Sequence, residues 1–144
     1  ALILKGRAIA GRAKAGDKSV TFANARGWFN RANRLDPENP EPLVSFYRSF
    51  VDERTRPTPN AIAALHYAAQ LAPQDLPLRL TDARQYLADG KPAEARKALI
   101  PLAYSPHGGP HGELAQRMIA LIDAGKPAAA LAERTAPTPE QMRK

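Results

Sequence analysis

The sequence predicts an all-α chain, an αα-superhelix of about three to four stacked antiparallel helix pairs. Three observations carry that prediction. First, Ala25, Phe29, Ala32, Leu35 and Pro37 recur 36 residues later as Ala61, Leu65, Ala68, Leu71 and Pro73, and the register runs on from Tyr47-Arg48-Ser49-Phe50 into Ala83-Arg84-Gln85-Tyr86. A period of this size belongs to stacked supersecondary units. Second, Ala25, Phe29 and Ala32 stand at i, i+4 and i+7, one helical face, so two small residues flank a bulky one and a neighbouring helix can approach. Third, the periodic segments are rich in alanine, aromatic residues make up 6%, and no valine-rich alternating run is present, which argues against a sheet.

The elements follow in order. Helices are expected over 2–14, 22–35, 41–52, 59–71, 77–89, 92–104, 112–124 and 127–133. Leu2 to Ile9 opens the first. The second carries the Ala25–Phe29–Ala32 stripe and stops before Pro37, which has no N–H to continue a helix. Trp28, next to Phe29, is read as inter-helix core. The third shows the complementary stripe Leu43, Phe46, Tyr47 and Phe50 at i, i+3, i+4 and i+7. Pro59, Pro92 and Pro127 suit the first turns of the fourth, sixth and eighth helices. Pro101 should kink or end the sixth near Ile100. The turn Asp89-Gly90-Lys91-Pro92 is echoed 35 residues on as Ala124-Gly125-Lys126-Pro127. Residues 1–132 then form one helical repeat domain. Residues 133–144 have no apolar stripe and read as a mobile C-terminal tail or linker that adds nothing to stability.

These residues resemble the tetratricopeptide repeat (TPR). Phe29 to Pro40 looks like the end of that repeat's second helix and the turn after it, and Leu65 to Pro73 is a looser copy. Leu2 to Ile9 resembles the middle of a first helix, with Gly6 at the family's small position. Against the family pattern, Tyr47 stands where a small residue is usual and should splay its helix pair. Arg79 and Asp82 replace apolar positions, so that Leu76 and Leu80 should supply the buried face, and the turns Ala15–Thr21 and Asp52–Pro57 carry insertions. The resemblance covers roughly residues 1–132. It implies a right-handed array whose first helices line a concave groove, and a protein–protein interaction scaffold. The run from Gly6 through Pro37 to Pro110 also resembles C-terminal repeats of larger proteobacterial proteins whose upstream part looks like a metallopeptidase. That likeness implies an accessory repeat domain, with any active site outside this chain.

Chemistry and charge narrow the function. With no cysteine the chain has no disulfide framework, iron–sulfur cluster or thiol nucleophile. No run of 18 apolar residues is present, and Lys5 and Arg7 interrupt the opening too early for a signal peptide. A first residue that is not Met, inside what reads as a helix, fits a piece of a longer or processed protein of the bacterial cytoplasm or periplasm. Ser45, Ser49 and Ser105 have no local companion histidine and no nucleophile elbow occurs, so no enzyme is expected. His107 and His111 lie four apart in a glycine-rich turn with only Glu113 nearby, short of a metal set, and His66 reads as a packing or surface residue. Neither a metal nor a cofactor is expected.

The net charge of +7 favours an acidic partner. Arg7, Arg48 and Arg84 each follow the close-packed position of a first helix, namely Gly6, Tyr47 and Ala83. They are the candidate partner-binding residues: a ladder facing the groove that the TPR resemblance implies, able to clamp carboxylates of a protein or peptide. The opposing interpretation is a solvated stripe paired with acids such as Asp52 or Asp82. Nonspecific nucleic-acid binding is the other class, weakened by dispersed basic residues and few interleaved aromatics.

Overall fold

The computed structural model describes residues 1–135, 142 and 143. Among them are eight helices and no strand, so the chain is all-α. The helices are α1 (Leu2–Lys14), α2 (Phe22–Leu35), α3 (Pro40–Asp52), α4 (Pro59–Leu71), α5 (Leu76–Ala88), α6 (Pro92–Ala103), α7 (Gly109–Asp123) and α8 (Pro127–Ala132). Each expected helix is present. The largest displacement is at α7, which starts at Gly109 rather than 112 because Pro110 is accommodated in its first turn.

The starts are set by short polar side chains and prolines. Thr21 and Asn24 form a reciprocal capping box on α2, and Asn39, Thr58 and Asp75 each accept a backbone N–H at the head of α3, α4 and α5. Proline occupies the first turn of α3 through α8, where the N–H it lacks would have had no intrahelical acceptor.

A repeated device ends α1, α3, α5 and α7. In each, the second residue past the helix has positive φ: Gly16 (93°), Arg54 (61°), Gly90 (71°) and Gly125 (74°). The next residue's N–H reaches back to the third-last helical carbonyl: Asp17 to Arg12, Thr55 to Phe50, Lys91 to Tyr86 and Lys126 to Leu121, at 2.8–3.0 Å. These are four Schellman closures, each turning the chain into the next helix. Helices α2 and α4 end differently, at Asp36 and Ala72 ahead of Pro37 and Pro73. The chain is therefore built of helical hairpins, α1–α2, α3–α4, α5–α6 and α7–α8, and the members of each pack on one another.

Two compact units emerge, Ala1–Ala72 with α1–α4 and Pro73–Lys144 with α5–α8. In the first, α2 also packs on α3, and α1 reaches α3. Phe29 (2% exposed) lies under α1, and a Cβ on Gly6 would stand 2.5 Å from its ring. Glycine is what lets the α1 backbone pass. Ala25, Ala32, Ala61, Leu65 and Ala68 are buried as the repeat stripe predicts, at about 1.5–3 kcal/mol for a side chain the size of Leu65 or Phe29. Leu35 belongs to the same repeated pattern yet is 78% exposed. Tyr47 is buried and α3 still packs on α4. Trp28 is half-buried, with Lys5 and Arg31 4.9 and 5.1 Å from its ring.

In the second unit, Leu80, Ala83, Leu99, Leu102, Leu114 and Met118 anchor one core, and Leu76 is packed against it. Leu80 takes the buried face as expected. Asp82 is also buried. Pro101 does not end α6 at Ile100. The helix continues to Ala103, because a proline in the last turn forfeits one hydrogen bond, and the terminal Ala103 carbonyl is capped by Gln116 Nε2 at 2.8 Å. Arg96 of α6 grips Asp123 of α7 with two bonds, at 2.8 and 3.2 Å. Those bonds raise the Arg96 pKa and lower that of Asp123. After α8 the chain stays attached: the Glu133 carbonyl accepts from Arg84 Nη2 at 3.1 Å, and the Arg134 carbonyl accepts from Arg117 Nη2 at 3.1 Å. The remainder of the expected tail, 136–141 and 144, lies outside the described residues. No helix among the described residues is long and apolar enough to cross a membrane.

Candidate functional site

An open cleft of about 260 Å³ lies between α1 and α3 of the first unit, lined by both Arg7 and Arg48. From α1 come Arg7, Ala10 and Gly11, at i, i+3 and i+4, and from α3 come Ser45, Arg48, Ser49 and Asp52, at i, i+3, i+4 and i+7. Phe29 forms part of its wall. The small residues Ala10 and Gly11 leave the space, and the polar stripe of α3 gives it character. Its size is below that of a typical small-molecule pocket and suits one side chain of a larger partner.

The α1–α3 register is visible in their contacts. Arg7 Nε donates to Ser45 Oγ at 3.4 Å, and Lys14 Nζ meets Asp52 Oδ1 at 3.1 Å. Each pair is 38 residues apart, as are the two Schellman positions Gly16 and Arg54. Arg7 therefore stands opposite Ser45, one helical turn before the level of Arg48. A one-turn offset keeps the same face, which is why both arginines still reach one cleft.

Charge in the cleft is unbalanced. Arg7 has a loose contact with Glu41, 3.9 Å away with both side chains about half-exposed or more, worth little in water. Arg48 is exposed and forms no ion pair or hydrogen bond among the described residues. The Asp52 carboxylate is already held by Lys14. Ser49 is locked from behind: Arg26 Nε donates to its Oγ at 2.8 Å, and that Oγ donates to the Phe46 carbonyl at 2.6 Å. Arg26 also pairs with Glu53 and lies 3.7 Å over the Phe50 ring. Sequence reading missed Arg26, whose partners are 23 to 27 residues away with no local spacing to reveal them.

Arg84 lies in the second unit, on α5. It is half-buried, bonded to the Glu133 carbonyl rather than to a carboxylate, and its Nε is buried without a partner. Burial, and next the charge of Arg134, lower its pKa. A second, mostly apolar cleft in that unit is lined by Pro73, Leu76, Arg79, Pro101, Leu102 and His107, among others. His107 is exposed, and the described residues hold no group of three or more ligating side chains suited to a metal ion.

No family model, curated protein or solved structure matches this chain.

Proposed function

We propose that this protein is a TPR-type scaffold that binds an acidic segment of a partner protein in the α1–α3 cleft. Arg7 and Arg48 receive the partner's carboxylates. The observation that carries the reading is the convergence of these two arginines on one cleft in which Arg48 has no anionic partner among the described residues. Further support comes from the 36-residue sequence register and from the helical hairpins within each unit, the kind of element that repeat scaffolds use. The rear clamp by Arg26 holds the Ser49 hydroxyl in place on the α3 face. The reading assigns binding and no catalysis to this chain, and it is compatible with service as the repeat domain of a larger bacterial protein.

Fluorescence anisotropy with labelled Asp/Glu-rich peptides tests it. Charge-assisted hydrogen bonds contribute about 1.5–3 kcal/mol each, so Arg48→Ala should weaken binding tenfold or more, with the helical circular dichroism unchanged. Arg34→Ala, an exposed site outside the cleft, serves as control. Equal loss in both variants points to diffuse charge. Tighter binding of duplex DNA than of any acidic peptide at matched salt transfers the function to the nucleic-acid class.

A further inference from the structure

In the second unit two guanidinium groups converge on one neutral oxygen. The Glu133 carbonyl accepts from Arg84 Nη2 at 3.1 Å and from Arg134 Nη1 at 2.8 Å. A third guanidinium, that of Arg117, stands alongside, with Nε 3.4 Å from Glu133 Oε2 and Nη2 bonded to the Arg134 carbonyl. Among the described residues the Glu133 carboxylate, held by Arg117 alone, is the only one that pairs with any of these three arginines, since Arg84 and Arg134 reach the Glu133 backbone carbonyl and not its carboxylate. Three positive groups thus face one negative group, an excess of two charges.

Like charges do not share an acceptor without cost. Arg84 comes from α5, Arg117 from α7 and Arg134 from the segment after α8, so three parts of the unit meet here. The half-buried Arg84 cannot turn fully to solvent, and its Nε has no partner. Arg117 and Arg134 are exposed, so the cluster is open on one side. Guanidinium forks bind planar or tetrahedral oxyanions through paired N–H groups, and a phosphate monoester carries about −1.5 to −2 near neutrality. That value matches the uncompensated charge, whereas a single carboxylate supplies half of it.

We infer that Arg84, Arg117 and Arg134 form a binding site for a phosphate dianion, either free phosphate or the phosphate of a phosphorylated side chain. The anion bridges Arg84 and Arg134 and completes the charge balance that Glu133 begins. The site is in a different unit from the α1–α3 cleft and stands independently of the peptide reading.

The test is an NMR titration of the intact chain, following the arginine Nε–H resonances at constant ionic strength. One arm uses inorganic phosphate. A second uses a short phosphoserine peptide, with its unphosphorylated and its aspartate-substituted forms as controls. The expected result is a saturable, one-to-one shift at Arg84 and Arg134, weakened tenfold or more in Arg134→Gln. That variant changes an exposed side chain and should keep the helical spectrum. Arg117→Gln should weaken binding as well, and this second variant keeps the question decidable if the first perturbs the C-terminal segment. Binding of both inorganic phosphate and the phosphopeptide assigns the site to phosphorylated side chains, and binding of inorganic phosphate alone assigns it to the free anion. Non-saturating shifts, equal affinity in Arg134→Gln, or an aspartate peptide that binds as well as the phosphopeptide would overturn the inference.

Discussion

At residue scale, Gly6 decides how closely α1 can lie on α2. A methyl there would sit 2.5 and 2.8 Å from two ring carbons of Phe29, which is buried. Gly6→Ala gains helix propensity of about 1 kcal/mol but overpacks the contact by about 1–3 kcal/mol. The expected outcome is a net loss of stability by thermal or urea unfolding, and Gly11→Ala, where nothing lies within 4 Å, should instead stabilise. Asp17 offers a pH probe. The Ser19 hydroxyl, then the Ser19 backbone N–H, then Arg12 lower its pKa from 3.8 to about 2. Its folded-state value is depressed, so its contribution is fully present above about pH 4 and is lost as pH falls through about 2. Carboxyl NMR should show this low midpoint, and Ser19→Ala should move it back toward 3.8. A midpoint near 3.8 in the parent protein would contradict the loop geometry.

At element scale, the four Schellman closures mark the repeats more evenly than any side-chain stripe. They fall at 16, 54, 90 and 125, and only the second is not glycine. Arg54 at φ 61° bears the left-handed strain that glycine avoids, about 1–2 kcal/mol, against which a glycine's extra unfolded-state freedom costs about 0.5–1 kcal/mol. Arg54→Gly is therefore expected to raise stability by up to about 1 kcal/mol, measured by urea unfolding. No change, or a loss, would show that the Arg54 side chain makes a compensating contribution. The same substitution explains a blind spot in sequence reading. The Gly90 and Gly125 turns were legible because glycine and a following Lys-Pro repeat there, whereas Arg54 hides an identical turn behind an ordinary surface residue.

At the scale of the whole molecule, the chain separates into two compact units, each with its own buried interior. In the second, the segment after α8 is stitched to α5 and α7 through Glu133 and Arg134. Truncation after Ala132 removes those bonds and leaves the half-buried Arg84 without its acceptor, while relieving its repulsion with Arg134. The net expectation is a loss of about 1–2 kcal/mol, small because Arg117 and Arg134 are exposed and screened. In a thermal melt that is a drop of several degrees. An unchanged melt would mean that the stitching adds nothing beyond solvated charge. Absence of an apolar stripe speaks only to core packing, and arginines reaching backbone carbonyls leave no periodic trace.

The sequence by itself determined the eight helices of the described residues and the buried Ala–Phe–Ala and Ala–Leu–Ala stripes. All of these rest on local periodicity, on prolines that start or stop helices, and on side-chain size, quantities written within a few residues of each position. It also pointed to Arg7, Arg48 and Arg84, through their repeated place after a close-packed residue. Tertiary structure alone decided what surrounds each of them. Arg7 and Arg48 share a cleft through a 38-residue offset between α1 and α3, which differs from the 36-residue period because the first helices end 38 residues apart. Arg84 meets the Glu133 carbonyl 49 residues away, a contact made only once α8 has folded back. The clamp of Arg26 on Ser49 and the capping of Ala103 by Gln116 are of the same kind. Long polar side chains choose partners by position in space, after packing has brought distant helices together, and no spacing along the chain encodes that choice.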